Sequence, residues 1–238
     1  MPWILNQIAP FETDVWELYN LNEDFSESTD LAAKYPEKLA TMQARWDELA
    51  QEQQVYPLHD DMVMRGAKHR GRLFGDQKEF VYYYPGATRI PETISPPVKN
   101  RSHAIETTLD LDGTEEGVIV ACGAMTGGYT LYIKDGKVHY DYNYFDGVYW
   151  KMSAPLPKGK TDIKFNFIKT GDFKGKGKLF VNGALLADVD MPKMHIATFS
   201  LSETFDVGED TGTPVSDEYD DHFYFKGDLK KVVITLTD

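Results

Sequence analysis

The chain has a single cysteine, Cys122, among its 238 residues. That excludes an intramolecular disulfide framework and a zinc site built on cysteine pairs. No apolar run approaches the roughly eighteen residues that a membrane-spanning helix needs. Basic residues are scarce: 25 Lys and Arg stand against 38 Asp and Glu, leaving a net charge of −13. The summed field repels a phosphate backbone, so nucleic acid is excluded as the main partner. The first residues, Met1-Pro2-Trp3-Ile4-Leu5, show no basic region or cleavage signal, so the compartment expected by default is the cytoplasm. The histidines (His59, His69, His103, His139, His195, His222) are scattered, and no serine or cysteine stands at a spacing that suggests a nucleophilic pair.

What the chain does have is apolar and aromatic content, 42% and 13% respectively. That suits half-buried strands, and aromatic faces also suit sugar stacking. Val15–Leu21 reads as a short strand. Pro36 then sits at the first position of a helix with Glu37 in its first turn, which matches proline's fixed φ and the positive helix end. Leu39, Met42, Trp46 and Leu49 recur at helical spacing, so the pattern predicts an amphipathic helix over 36–54, stopped before Tyr56-Pro57. One strand and one helix cannot bury their own apolar faces.

Residues 61–101 are rich in glycine and proline, with one strand-like run at Glu79–Tyr84, and read as a connecting region. From Ser102 onward alternation is visible in ten segments, including His103–Leu111, Lys137–Phe145, Thr198–Thr204 and Phe223–Leu236. Asp135-Gly136 and Asn182-Gly183 are two-residue hairpin signals, because both central positions need positive φ. Many short strands with frequent turns predict a mainly β fold, with a β-sandwich over 102–238.

Three stretches carry a resemblance. Trp16-Glu-Leu-Tyr-Asn-Leu-Asn-Glu-Asp-Phe-Ser-Glu-Ser-Thr-Asp-Leu-Ala-Ala-Lys-Tyr-Pro-Glu-Lys-Leu39, Gly127–Asn143 and Phe199–Tyr219 together resemble the C-terminal part of the arylsulfatases, the formylglycine-dependent sulfatase family. In that family the segment like 16–39 follows the catalytic domain, whereas here fifteen residues precede it. The resemblance implies a strand-plus-helix remnant over 1–60, the connector 61–101, and a concanavalin-A-like jelly roll over 102–238. It implies a non-catalytic region that completes a sulfatase fold and shapes substrate access or assembly, with a sulfatase catalytic domain as partner.

The family's chemistry needs Cys/Ser-x-Pro-x-Arg and a carboxylate-held calcium ion. Cys122 is followed by Gly-Ala-Met-Thr and fails the motif. Ser95-Pro96-Pro97-Val98-Lys99 has lysine where arginine belongs and reads as a connector. His59-Asp60-Asp61 matches an exposed turn of the family and not its metal pair. The Glu-x-Asp-x-x-Glu arrangement of sandwich glycosidases does not occur. The chain is expected to be inactive alone.

Three binding features remain. Asp206, Glu209, Asp210 and Asp217 lie in an acidic segment with interspersed glycine. That pattern suits a calcium loop, and it equally suits a loop pinned by its own hydrogen bonds. Asp110–Glu116 reads more simply as a polar turn. Tyr140, Tyr142 and Tyr144 share one strand face, with Phe145, Tyr149 and Trp150 beyond. Such a stripe serves either core packing or stacking on a sulfated or neutral glycan. The lysine-rich run Lys158–Lys178 either steers anions or guards edge strands. A free-standing carbohydrate-binding β-sandwich is the alternative to the sulfatase reading.

Overall fold

The computed structural model describes residues 13–56, 58, 74–220 and 222–237. The backbone forms two compact units, 1–69 and 70–238. In the first, helix α1 (Pro36–Glu52) begins at Pro36 as its composition dictates, with Glu37 in the first turn. It ends where Gln54 takes a left-handed φ of 57°, and Val55 N–H closes the turn on the Ala50 carbonyl at 2.8 Å.

The expected strand at 15–21 is not formed. Leu18 N–H donates to the Asp30 carboxylate at 2.9 Å, and the Leu18 carbonyl accepts from Leu31 at 2.8 Å. The loop 19–31 therefore satisfies this backbone without a ladder. Of the helix, Ala50 alone is buried. Trp46 remains 40% exposed and meets Trp16 edge-on at 6.4 Å.

The second unit is mainly β, with two six-stranded antiparallel sheets. One sheet runs β1 (Glu79–Tyr83), β12 (Lys231–Leu236), β3 (His103–Leu111), β8 (Gly159–Gly171), β9 (Lys174–Val181), β10 (Ala184–Met191). The other runs β2 (Ile90–Pro91), β11 (Thr204–Val207), β4 (Gly117–Ala124), β5 (Gly127–Lys134), β6 (Lys137–Phe145), β7 (Val148–Pro155). The hairpins at Asp135-Gly136 and Asn182-Gly183 form as expected, with φ of 52° and 69°, and 49° and 79°.

The glycine- and proline-rich stretch before residue 102 is more than a connector, since it supplies β1 to one sheet and β2 to the other. Thr198–Thr204 is loop, and pairing starts at Thr204. Of Phe223–Leu236, the ladder takes 231–236.

Alternation places Ile105, Phe165 and Leu179 of the first sheet against Leu131, Tyr140 and Phe205 of the second in one apolar core. Tyr140 stacks on Phe165 with ring centroids 3.6 Å apart. The opposite face of the second sheet is covered by residues 208–220 and by Phe223. There Val215, Tyr219 and Phe223 close over Val118, Ala121 and Tyr132.

Candidate functional site

The tyrosine stripe divides by depth. Tyr140 and Tyr142 are each only 1% exposed, so they are core residues and not the open platform that sugar stacking requires. Tyr144, next on the same face, emerges half-buried at the end of the sandwich. The β6–β7 turn beyond it takes positive φ at Phe145, Asp146 and Gly147 and leaves Phe145 54% exposed.

Around Tyr144 the structure gathers residues that sequence spacing did not join. Cross-strand register sets Trp150 opposite Tyr142. The Trp150 indole N–H donates to the Lys193 carbonyl at 3.1 Å. The Lys193 ammonium lies 6.0 Å from the Tyr144 ring centre. The His195 ring stands 5.5 Å from Tyr144, and its backbone N–H donates to the Tyr142 hydroxyl at 2.9 Å. Burial first, and then the Lys99 charge, lower the His195 pKa below the ordinary histidine value, so the imidazole is neutral near pH 7. Gly127 permits this packing, because a Cβ there would meet His195 Nε2 at 2.4 Å.

The loop that carries Lys193 and His195 is anchored from beneath. Glu92, 4% exposed, accepts the Phe199 N–H at 2.7 Å and forms an ion pair with Lys99. The Lys99 ammonium also donates to the Ala197 carbonyl at 2.5 Å and sits 3.8 Å over the Phe199 ring. A buried ion pair with its remaining oxygens hydrogen-bonded holds geometry well, because breaking it leaves an uncompensated charge. Asn143 performs the same service from the other side. Its amide donates to the Met125 and Val215 carbonyls at 3.0 Å each, and its oxygen accepts the Phe145 N–H at 3.0 Å. Met125, Phe145 and Ile196 stand exposed in the segments these bonds hold.

The tentative calcium ligands do not converge. Asp206 accepts the Arg89 N–H at 2.5 Å and the hydroxyls of Thr204 and Thr211 at 2.8 and 2.9 Å. Asp210 accepts the Val215 N–H at 2.8 Å and the Tyr219 hydroxyl at 2.5 Å. Glu209 faces His222 at 3.4 Å, and Asp217 pairs with Lys151. Each carboxylate is engaged by its own partner, and among the described residues no cluster of three or more His, Cys, Asp or Glu is placed to hold a metal.

The remaining candidates resolve along similar lines. Asp112 and Glu115 cap a polar turn, accepting N–H groups of Thr114, Asp112 and Gly113 at 2.7–2.9 Å. Ser95 is buried with its hydroxyl on the Glu92 carbonyl at 2.8 Å. Burial pushes the Cys122 thiol far up, so it is inert packing. Lys164 and Lys176 pair with Glu106 and Asp188 at 2.9 and 2.8 Å. His59, Asp60 and Asp61 lie outside the described residues.

No family model matches the chain, and no curated protein matches it. Solved structures match the chain at low similarity. The mouse laminin α1 chain, domains LG4-5, is 15% identical over 67% of this chain and 39% of that one, with a TM-score of 0.41. The leech intramolecular trans-sialidase complexed with 2,7-anhydro-Neu5Ac is 12% identical over 68% and 26%, TM-score 0.42. The botulinum neurotoxin type G receptor binding domain is 12% identical over 57% and 33%, TM-score 0.35. The chain therefore spans well under half of each of these structures, and likeness this distant carries no argument about activity.

Neither a sulfatase family model nor a curated sulfatase matches the chain. The resemblance to the arylsulfatase C-terminal region is not upheld, and with it fall the sulfatase remnant and the sulfatase catalytic domain as partner. Much of the resembling sequence lies in turns and loops, 19–31, 199–203 and 208–219. Turn chemistry selects Asn, Asp, Ser and Gly in proteins of many folds.

Proposed function

We propose that this chain is a carbohydrate-binding module on a jelly-roll-like β-sandwich, with its sugar platform at the Tyr144 end. The observation that carries the reading is the emergence of the buried tyrosine stripe as half-exposed Tyr144, flanked by Trp150, Lys193 and His195 on braced loops. An aromatic face offers a pyranose ring its apolar contact, while a few fixed polar groups orient the hydroxyls. Rigid support matters because a preordered surface loses little entropy when the ligand arrives.

A glycan array probed with the full chain, followed by calorimetry on any hit, tests this. Binding should fall at least about tenfold in Tyr144→Ala and Trp150→Ala, the loss of one stacked ring, and should persist in Tyr140→Phe. An empty array, or hits unaffected by both variants while the fold is retained, would sink the reading.

A further inference from the structure

We propose that the pocket of the N-terminal unit binds a quaternary-ammonium group. Its lining includes the rings of Trp16, Trp46, Tyr19 and Tyr56 and the acidic residues Asp14, Glu17 and Asp47. No lysine, arginine or histidine is among its described lining residues. The nearby Arg45 is turned to Glu48 at 2.8 Å.

Helical spacing sets Gln43, Trp46 and Asp47 on one side of α1, which lines the pocket together with residues 14–17. The two indoles are inclined at 63°, with centroids 6.4 Å apart. Two inclined walls make a corner, which suits a compact rounded cation better than a flat sugar ring.

The acids act on this corner in a particular way. The Tyr19 hydroxyl donates to Glu17 at 2.8 Å, and the Tyr56 hydroxyl donates to Asp47 at 2.5 Å. Both phenols are held protonated by these bonds, Tyr19 with a pKa raised to about 12. Glu17 and Asp47 therefore each have an acceptor site occupied. What they offer is a field, and the rings add the negative faces of their quadrupoles. A methylated ammonium needs both and requires no hydrogen-bond acceptor. At about 720 Å³ the pocket exceeds a single such headgroup, so the cation would be one end of a longer ligand.

The test is calorimetry on the full chain with choline, tetramethylammonium and the uncharged carbon isostere of choline, dimethylbutanol. Choline and tetramethylammonium should bind saturably, and the isostere about tenfold more weakly. Trp46→Ala should cost about tenfold, and Asp47→Asn or Glu17→Gln about threefold each, with helix content checked by circular dichroism. The carboxamide variants keep the ring walls and the tyrosine hydrogen bonds, so they remain informative if Trp46→Ala fails to fold. The proposal is overturned if no cation binds at millimolar concentration. It is equally overturned if the isostere binds within twofold of choline, or if the double carboxamide variant binds like the parent. A glycan-array result bears on Tyr144 alone and leaves this pocket to its own test.

Discussion

The two faces of the β4–β7 sheet are cut from the same strands by alternation, yet they are built on different physics. Inward, Tyr129, Leu131, Tyr140 and Tyr142 meet the opposing sheet through rings and aliphatic chains. Outward, the covering segment 208–220 is held over Thr130, Tyr132 and Asp141 by a buried polar network. Asp141 accepts the hydroxyls of Ser216 at 2.5 Å and Tyr132 at 3.1 Å, and the Tyr219 hydroxyl bridges Asp210 and Thr130. The inner face contains no carboxylate along β5 and β6, so its contacts are indifferent to pH. The outer face buries Asp141 and Asp210. One sheet thus carries both a fixed core and a titratable cover.

The sharpest way to break this comparison is Tyr140→Ala. Removing a buried ring stacked on Phe165 should lower unfolding stability by about 3–5 kcal/mol in urea melts, by a similar amount at pH 6 and at pH 8. A cost below about 1 kcal/mol would show that the inner face is not the core.

A smaller effect separates the faces by pH. Burial pushes Asp210 up to about 7 from 3.8, and Asp141 is raised for the same reason. A carboxyl with its folded pKa raised stabilises fully below its unfolded pKa, and that contribution is lost as pH rises through the folded one. Across pH 6–8 the unfolded chain is ionised at this site while the folded chain still holds part of a proton. The parent should therefore lose about 1.4 kcal/mol more than Asp210→Asn over that interval. His195, whose lowered pKa works in the opposite direction at acid pH, is common to both proteins and cancels. Hydrogen exchange at 208–220 should quicken from pH 6 to pH 8, beyond the intrinsic base catalysis, in the parent only. Equal slopes in the two proteins would remove the titratable cover.

The smallest expected change in stability belongs to Tyr144→Ala. This ring is half-buried at the rim, so truncation should cost under about 1 kcal/mol while reducing any glycan binding at least about tenfold. A loss comparable with Tyr140→Ala would place Tyr144 in the core and leave no platform.

Much of the fold is legible in the residues. Pro36 and the three-to-four spacing of Leu39, Met42, Trp46 and Leu49 mark α1. Asp135-Gly136 and Asn182-Gly183 mark two hairpins by their need for positive φ. Alternation finds the central strands because each has one face toward the core.

The misses have physical reasons too. Ile90–Pro91 is too short to show a period, and pairing with β11 alone makes it a strand. Val15–Leu21 reads as a short strand but finds no partner among the described residues, because side-chain and turn hydrogen bonds satisfy Leu18 first. The candidate site was half visible. Tyr144 and Trp150 stand in one aromatic run, but His195 is fifty-one residues beyond Tyr144, and nothing local points from one to the other.

By itself the sequence determined the class of structure and the chemistry it lacks. Alternation and turn residues specify antiparallel β, and a lone cysteine excludes an intramolecular disulfide framework and a zinc site built on cysteine pairs. Tertiary structure alone decided which members of a uniform pattern are usable. Tyr140, Tyr142 and Tyr144 are equivalent in spacing, and only the end of the opposing sheet makes the third a surface. In sequence, Asp206 and Asp210 suit a calcium loop and a loop pinned by its own hydrogen bonds equally. The threonines, backbone amides and Tyr219 brought to them from elsewhere make them structural acceptors. Local pattern sets the direction in which a side chain points, and what lies there is set by residues far away in the chain.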